Sequence, residues 1–113
     1  MGVRALIAGL AAVFVAAVGA TPAAAAPPGY DVKTLHFDVT VGPPGDRHHC
    51  DIIGDLYKPT SATALHPAPA ILTTNGFGGS KDDQKDLAEV AAGRGYVVLS
   101  YSGLGFGGSG CKI

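Results

Sequence analysis

Chemistry in this chain could come from two glycine-rich segments, a few serines and four histidines. Asn75-Gly76-Phe77-Gly78-Gly79 follows the short apolar run Ala70 to Thr74 and precedes a helix-like stretch. Backbone N–H groups are unpaired at such a strand-to-helix junction and favour negative charge. In an acyl-transfer enzyme, a loop of this kind holds the oxyanion of the tetrahedral intermediate. An ordinary strand-to-helix turn with Ser80 as its cap accounts for the same residues, and on the residues alone it is the simpler reading.

The second segment, Gly103-Leu104-Gly105-Phe106-Gly107-Gly108, fits G-x-G-x-x-G. A dinucleotide site needs a helix after the glycines and an acidic residue about 20 positions later, and the sequence to Ile113 supplies neither. No Gly-Lys-Ser or Gly-Lys-Thr occurs, so a Walker loop is excluded. Ser80 lies in Gly78-Gly79-Ser80-Lys81-Asp82 and Ser109 in Gly107-Gly108-Ser109-Gly110-Cys111. Each lacks the second glycine of G-x-S-x-G, so neither reads as a nucleophile elbow. His36, His48, His49 and His66 fall on strand or loop positions with nothing to mark a serine–histidine pair. His48-His49-Cys50-Asp51 is a poor metal cluster, because adjacent residues on an extended chain point in opposite directions. No metal and no cofactor is expected.

The elements that must position these loops can be read from periodicity. Lys33 to Val41 alternates strictly, with Leu35, Phe37, Val39 and Val41 on one face, and so predicts a half-buried strand. Gly42-Pro43-Pro44-Gly45-Asp46 is a turn cluster, and Cys50 to Lys58 is a second extended run that ends at Pro59. There Ile52-Ile53 breaks the alternation, and Gly54 suggests a bulge or a close backbone approach. Together these runs predict a hairpin with a long loop. After an irregular linker from Ser61 to Pro69 comes a β-α-β unit. Its strands are Ala70 to Thr74 and Tyr96 to Ser102. Its helix is capped by Ser80 with Asp83 as capping-box partner, presents Leu87, Val90 and Ala91 as an apolar face, and stops at Gly93 or Gly95. The continuous apolar run Tyr96 to Leu99 predicts a central strand covered on both faces. No internal repeat is evident. The expected class is α/β, an antiparallel hairpin followed by a parallel β-α-β unit.

The chain has 113 residues, and the first 26 differ in character from the rest. A positive start, Met1 to Arg4, precedes an apolar stretch from Ala5 to Ala20, and Ala24 and Ala26 satisfy the small-residue rule of signal peptidase. The expectation is a signal peptide over 1–26 cleaved after Ala26, and a secreted product. Sixteen apolar residues fall short of the roughly 20 a spanning helix needs, so no stable membrane anchor is expected after cleavage. A proline-rich lead-in over 27–32 and one small domain over 33–113 remain. A net charge of −1 without any basic run argues against nucleic acid as a partner. In an oxidising compartment the two cysteines, Cys50 and Cys111, are a default disulfide.

From about Leu35 onward the sequence resembles secreted serine α/β-hydrolases of the Xaa-Pro dipeptidyl-peptidase-like and cocaine-esterase-like acyl hydrolase type. The leader, the hairpin with Gly-Pro-Pro-Gly-Asp-Arg-His-His-Cys-Asp, and the segment from Ala70 to Asp83 carry the resemblance. So do Arg94-Gly95-Tyr96 and the strand that runs into Gly103 to Gly110. It implies the N-terminal part of an α/β-hydrolase sheet. The family's His-Gly-x-Gly loop corresponds to Asn75-Gly76-Phe77-Gly78, which makes the backbone N–H of Phe77, with Gly78, the oxyanion candidates. Asn75, Gly76, Gly103 and Gly105 would surround the site. Cocaine-esterase-like members place a tyrosine hydroxyl in this loop, whereas Phe77 brings only its backbone. The resemblance further implies that nucleophile, acid and histidine lie beyond Ile113. The chain alone is therefore expected to be inactive, and to meet an ester or peptide substrate only when that remainder is supplied. The alternative is a small secreted, non-catalytic module stapled by Cys50–Cys111.

Overall fold

The computed structural model describes residues 2, 9, 11–16, 19 and 29–112. Most of the leader expected over 1–26, its cleavage point after Ala26, and Pro27-Pro28 lie outside the described residues. Among the described residues, no helix is long and apolar enough to cross a membrane. The elements are β1 (Tyr30–Val41), β2 (His48–Pro59), β3 (Ala70–Thr74), α1 (Lys85–Gly93) and β4 (Val97–Tyr101). They form one four-stranded sheet in the order β1-β2-β4-β3. The first two pairings are antiparallel, and β3 with β4 is parallel.

The α/β expectation, with its reading as the front of an α/β-hydrolase sheet, is corrected by this topology. The sheet is mixed and mostly antiparallel, and among the described residues a single nine-residue helix accompanies it. An α/β domain needs a parallel sheet covered by helices on both faces. Here the twelve-residue strands of the hairpin dominate, and the central strand β4 takes an antiparallel neighbour, β2, on one side. The strand β1 also begins earlier than expected and takes in the end of the lead-in, because Tyr30 pairs with Pro59 and its ring meets Tyr57 at 6.2 Å between centroids.

Register explains Gly54. The β1–β2 pairing runs without a slip from Tyr30↔Pro59 to Val41↔His48, so there is no bulge. A Cβ at Gly54 would lie 3.2 Å from the Leu99 side chain, the Ser100 carbonyl and the Tyr101 Cβ. Close approach of β4, not an extra residue, requires glycine there.

Alternation assigns the two faces of the sheet. Tyr57, Val98 and Ile71 share the face on which α1 packs, and with Ala88 and Ala92 they form the core. Leu35, Phe37, Leu56, Leu99 and Leu72 fall on the opposite face, where Leu72 is 68% exposed. So β4 is central as expected but fully covered on one side only: Val98 and Ser100 are buried, whereas Val97, Leu99 and Tyr101 are half-buried. Of the stripe that the helix's periodicity suggested, Ala91 packs against the core, but the two larger residues do not. Leu87 and Val90 are about half exposed, and small Ala88 and Ala92 face the sheet. Small residues let the helix axis come close to the flat strand surface, which excludes the bulkier stripe.

A buried polar cluster ties this face together. Lys81 donates through Nζ to Asp55, 2.6 Å away, and Thr34 donates to the other Asp55 oxygen at 2.7 Å. The main chain of Lys81 is held as well: its N–H donates to Ser102 Oγ at 2.8 Å, and its carbonyl accepts from Ser100 Oγ at 2.6 Å. Burial by itself would raise the Asp55 pKa, but the hydrogen bonds from Lys81 and Thr34 and the lysine charge outweigh it, so the carboxyl titrates below its ordinary value. The bond to Asp55 likewise holds Lys81 above the usual lysine value against its own desolvation. Burial, with the neighbouring Asp55 charge, raises Tyr57.

At the far end of the hairpin Cys50 and Cys111 form a disulfide across 61 residues of sequence. In the loop-entropy account such a closure stabilises by about 4 kcal/mol. Replacing both cysteines by serine should lower the urea midpoint of the full chain by a comparable free energy, and an unchanged midpoint would contradict this.

The ion pair gives a second expectation. Because the Asp55 pKa is depressed on folding, its contribution is present above the unfolded carboxylate value and is lost as pH falls through the folded one. Because the Lys81 pKa is raised, its contribution is present below the unfolded lysine value and is lost as pH rises through the folded one. Lys81→Met should cost about 2–3 kcal/mol near neutral pH, since it leaves the carboxylate buried with no opposite charge and only the Thr34 hydroxyl as partner. Denaturant melts from pH 2 to 7 should show a shallower acid limb for the variant than for the parent.

Candidate functional site

The two glycine segments meet at the carboxyl ends of the parallel strands β3 and β4. One bond joins them: Gly103 N–H donates to the Asn75 side-chain carbonyl at 2.7 Å. The Asn75 amide then donates to the Gly76 carbonyl at 2.7 Å, and Thr74 Oγ1 donates to the Tyr101 carbonyl at 3.0 Å. An asparagine can do this because its one side chain both accepts and donates.

Gly76 to Gly79 is a tight turn, closed by Gly79 N–H donating to the Gly76 carbonyl at 3.0 Å. Gly78, third in the turn, has φ +78°, which glycine adopts without steric cost. The Asp83 carboxylate accepts from Gly76 N–H and Ser80 N–H, both at 3.1 Å. A side chain at Gly79 would run into that carboxylate. The capping-box pair Ser80 and Asp83 therefore closes a turn ahead of the helix rather than capping it. The helix starts at Lys85 with Gln84 as N-cap and no side-chain cap bond.

Two amides are left. Among the described residues, neither Phe77 N–H nor Gly78 N–H donates a hydrogen bond. The central amides of a turn commonly point outward, so their setting is what gives them meaning. Beside them is a shallow pocket of about 380 Å³ lined by Thr74, Asn75, Gly76, Phe77, Tyr101, Gly103, Leu104 and Phe106. Phe77 is 97% exposed, and its ring stands edge-on to Phe106, with centroids 5.6 Å apart and planes at 68°. A larger apolar groove of about 590 Å³ runs along Ile71, Leu87, Val90 and Tyr96, away from these amides.

Of the residues singled out from sequence, Asn75, Gly76, Phe77 and Gly103 line this pocket, and Gly78 sits in the turn beside it. Gly105 does not line it; with φ +74°, it donates to the Gly110 carbonyl and closes the second loop on itself. Thr74, Tyr101, Leu104 and Phe106 are the lining residues that sequence reasoning missed. The signal for Phe106 was present: Gly-Phe-Gly-Gly-Ser occurs at residues 76–80 and again at 105–109, so the chain does contain a short repeat. Its two phenylalanines are the rings that meet.

The serines are committed elsewhere. Ser100 and Ser102 are buried and bonded to the Lys81 segment. Ser109 donates to the Ser102 carbonyl at 2.7 Å and accepts from Ile53 N–H at 3.0 Å, and Ser80 Oγ accepts from Asp82 N–H. The histidines pair with aspartates on the hairpin: Nδ1 of His36 lies 2.7 Å from Asp51, Nδ1 of His49 lies 3.1 Å from Asp38, and Nε2 of His48 lies 3.2 Å from Asp46. His66 lies in a turn with Thr63. Among the described residues no serine hydroxyl bonds to a histidine, and no three His, Cys, Asp or Glu side chains converge as metal ligands.

No protein-family model matches the chain, and no curated protein matches it. Among solved structures it is similar to the hypothetical protein PA2218 from Pseudomonas aeruginosa, with 26% identity and a TM-score of 0.58 over 74% of this chain. That match takes in 24% of the other chain, so the present sequence spans about a quarter of its length.

Proposed function

We propose that this chain contributes the oxyanion loop of an exported serine acyl hydrolase acting on esters or Xaa-Pro peptides. Phe77 N–H, with Gly78 N–H next to it, is the donor pair. The carrying observation is that these two amides stay unbonded beside an open pocket while Asn75, Gly76, Gly79 and Ser80 around them are hydrogen-bonded. An oxyanion donor must be preorganised and free at the same time. Asn75, Asp83 and the Gly76–Gly79 turn provide the first condition, and the unbonded amides provide the second. Nucleophile, general base and acid are supplied by residues outside this sequence. In support, the serines at 80, 100, 102 and 109 are spent on structural bonds, and the similar solved structure is about three times as long. Export is supported by the leader's sequence and is compatible with the disulfide.

A second reading rests on the disulfide alone: a secreted, non-catalytic module whose small core is stapled through Cys50–Cys111. It predicts a cooperative thermal transition in the full chain that is abolished by reduction.

Acetate serves as a minimal mimic of the oxyanion. Titrated into the uniformly 15N-labelled full chain, it should shift the Phe77 and Gly78 amide resonances with weak, saturable affinity. The same chain should give no fluorophosphonate-sensitive turnover of 4-nitrophenyl acetate. Silent amides at 77 and 78, or turnover blocked by the fluorophosphonate, would refute the proposal.

A further inference from the structure

Independently of that reading, we infer that β1 is an interface strand whose free edge pairs antiparallel with β1 of a second copy of this chain, in a register that sets His36 of each copy opposite Asp38 of the other. The strand order β1-β2-β4-β3 puts β1 at an end of the sheet, and among the described residues β2 alone pairs with it. Alternate residues of β1 thus turn an N–H and a C=O away from β2, a row that another strand can take up. Native edges are commonly blunted by proline, by a bulge or by several lysines. The run Tyr30–Val41 holds no proline and one lysine, Lys33, and its pairing with β2 has no bulge.

The choice of partner follows from the side chains. A two-fold axis normal to the sheet keeps each face on its own side, so only residues of the same face oppose one another across the join. With the axis at Phe37, residues 33–41 of the two copies overlap. His36 then opposes Asp38, Thr34 opposes Thr40, Leu35 opposes Val39, and Phe37 meets its own copy. Opposite-charge, threonine–threonine, apolar and aromatic neighbours are all favourable cross-strand pairs. Moving the axis to His36 or to Asp38 sets that group against itself instead, and like charges so placed repel.

The single chain leaves these groups short of partners. Asp38 lies directly opposite Asp51 in the β1–β2 ladder, two carboxylates on one face. His36 Nδ1 lies 2.7 Å from Asp51, and His49 Nδ1 lies 3.1 Å from Asp38. An ionised carboxylate only accepts, so Nδ1 of His36 donates to Asp51. Its Nε2 has no partner among the described residues, and with the second proton on the ring it donates to Asp38 of the other copy. All four side chains are more than half exposed, so the join disturbs no packed core.

Sedimentation equilibrium of the full chain on the acid side of the ordinary imidazole titration tests this. It is run on the parent, on His36→Asp, on Asp38→His, and on an equimolar mixture of the two variants. In this register each variant opposes like with like, whereas the mixture opposes the aspartates of one chain with the histidines of the other. The parent should dimerise with micromolar affinity, and each variant about tenfold or more weakly. The mixture should return to within a few-fold of the parent, which also shows that both variants fold. A parent that stays monomeric at millimolar concentration overturns the inference, as does a mixture no tighter than its components. Variants that dimerise as tightly as the parent overturn it too, and place the contact on another surface. A measurement without variants stands beside these: amide exchange in β1 of the parent should slow several-fold as its concentration crosses the dissociation constant, while that in β3 stays unchanged. Exchange in β1 that does not depend on concentration is a further refutation.

Discussion

The buried contact between Lys81 and Asp55 is the constraint on which the rest of the arrangement depends. Removing two charges from water costs several kcal/mol per ion, and their attraction offsets this only when the remaining donors and acceptors are satisfied. Here they are: Asp55 takes Lys81 and Thr34, and among the described residues no buried side-chain nitrogen or oxygen lacks a partner. The consequence is positional. One residue of the β3–α1 connection is fixed to β2 through its ammonium group and to β4 through its own peptide groups. The far end of the Asn75–Gly79 loop cannot drift, and Asn75 holds its near end to Gly103. The Phe77–Gly78 step is held between those anchors by the Gly76–Gly79 turn.

The sheet itself is unevenly secured. On one face α1 brings Ala88 and Ala92 onto Tyr57 and Val98. On the other, Leu35, Phe37, Leu56, Leu99 and Leu72 form an apolar surface over which the described residues place no helix. At the hairpin end, away from α1, bonding adds to the burial of Cys50 and Ile52. Gly110 N–H donates to the Asp51 carbonyl, Ser109 accepts from Ile53 N–H, and the disulfide closes the corner. The cross-link thus acts where the hydrophobic core is thinnest.

Much of this was legible in the residues, and the failures have physical causes. The alternation of Leu35 to Val41 and the pairing of Cys50 with Cys111 could be read because each rests on one local rule or on compartment logic. The helix start could not. Ser80 and Asp83 do make the local bonds their spacing suggests, but the Lys81 peptide is already committed to Ser100 and Ser102, so the helix waits until Lys85. The helix stripe was misassigned because periodicity marks Leu87 and Val90 as apolar without saying how near the helix must lie to the sheet. Fold class failed at a longer range: no local signal in β4 announces that its second neighbour is the hairpin strand. At the site, Asn75, Gly76, Phe77 and Gly103 were legible from loop composition, whereas Phe106 needed the repeated pentapeptide to be noticed.

The two copies of Gly-Phe-Gly-Gly-Ser show why identical sequence does not give identical roles. In the second copy the chain is bonded on every side: Gly105 to Gly110, Phe106 to Gly103, and Ser109 to Phe106, Ser102 and Ile53. Gly107 and Gly108 both take positive φ, and a side chain at Gly107 would collide with Ser80 and Ser102. That copy packs against β2 and the Ser80 turn, and it too leaves two amides, those of Gly107 and Gly108, without a partner among the described residues. In the first copy Asp83 takes the outer amides, at Gly76 and Ser80, and leaves those of Phe77 and Gly78. The copies differ in what closes them: a carboxylate seven residues downstream of Gly76 binds the ends of the first turn, whereas main-chain bonds and Ser109 close the second, and its ring rests edge-on against that of the first.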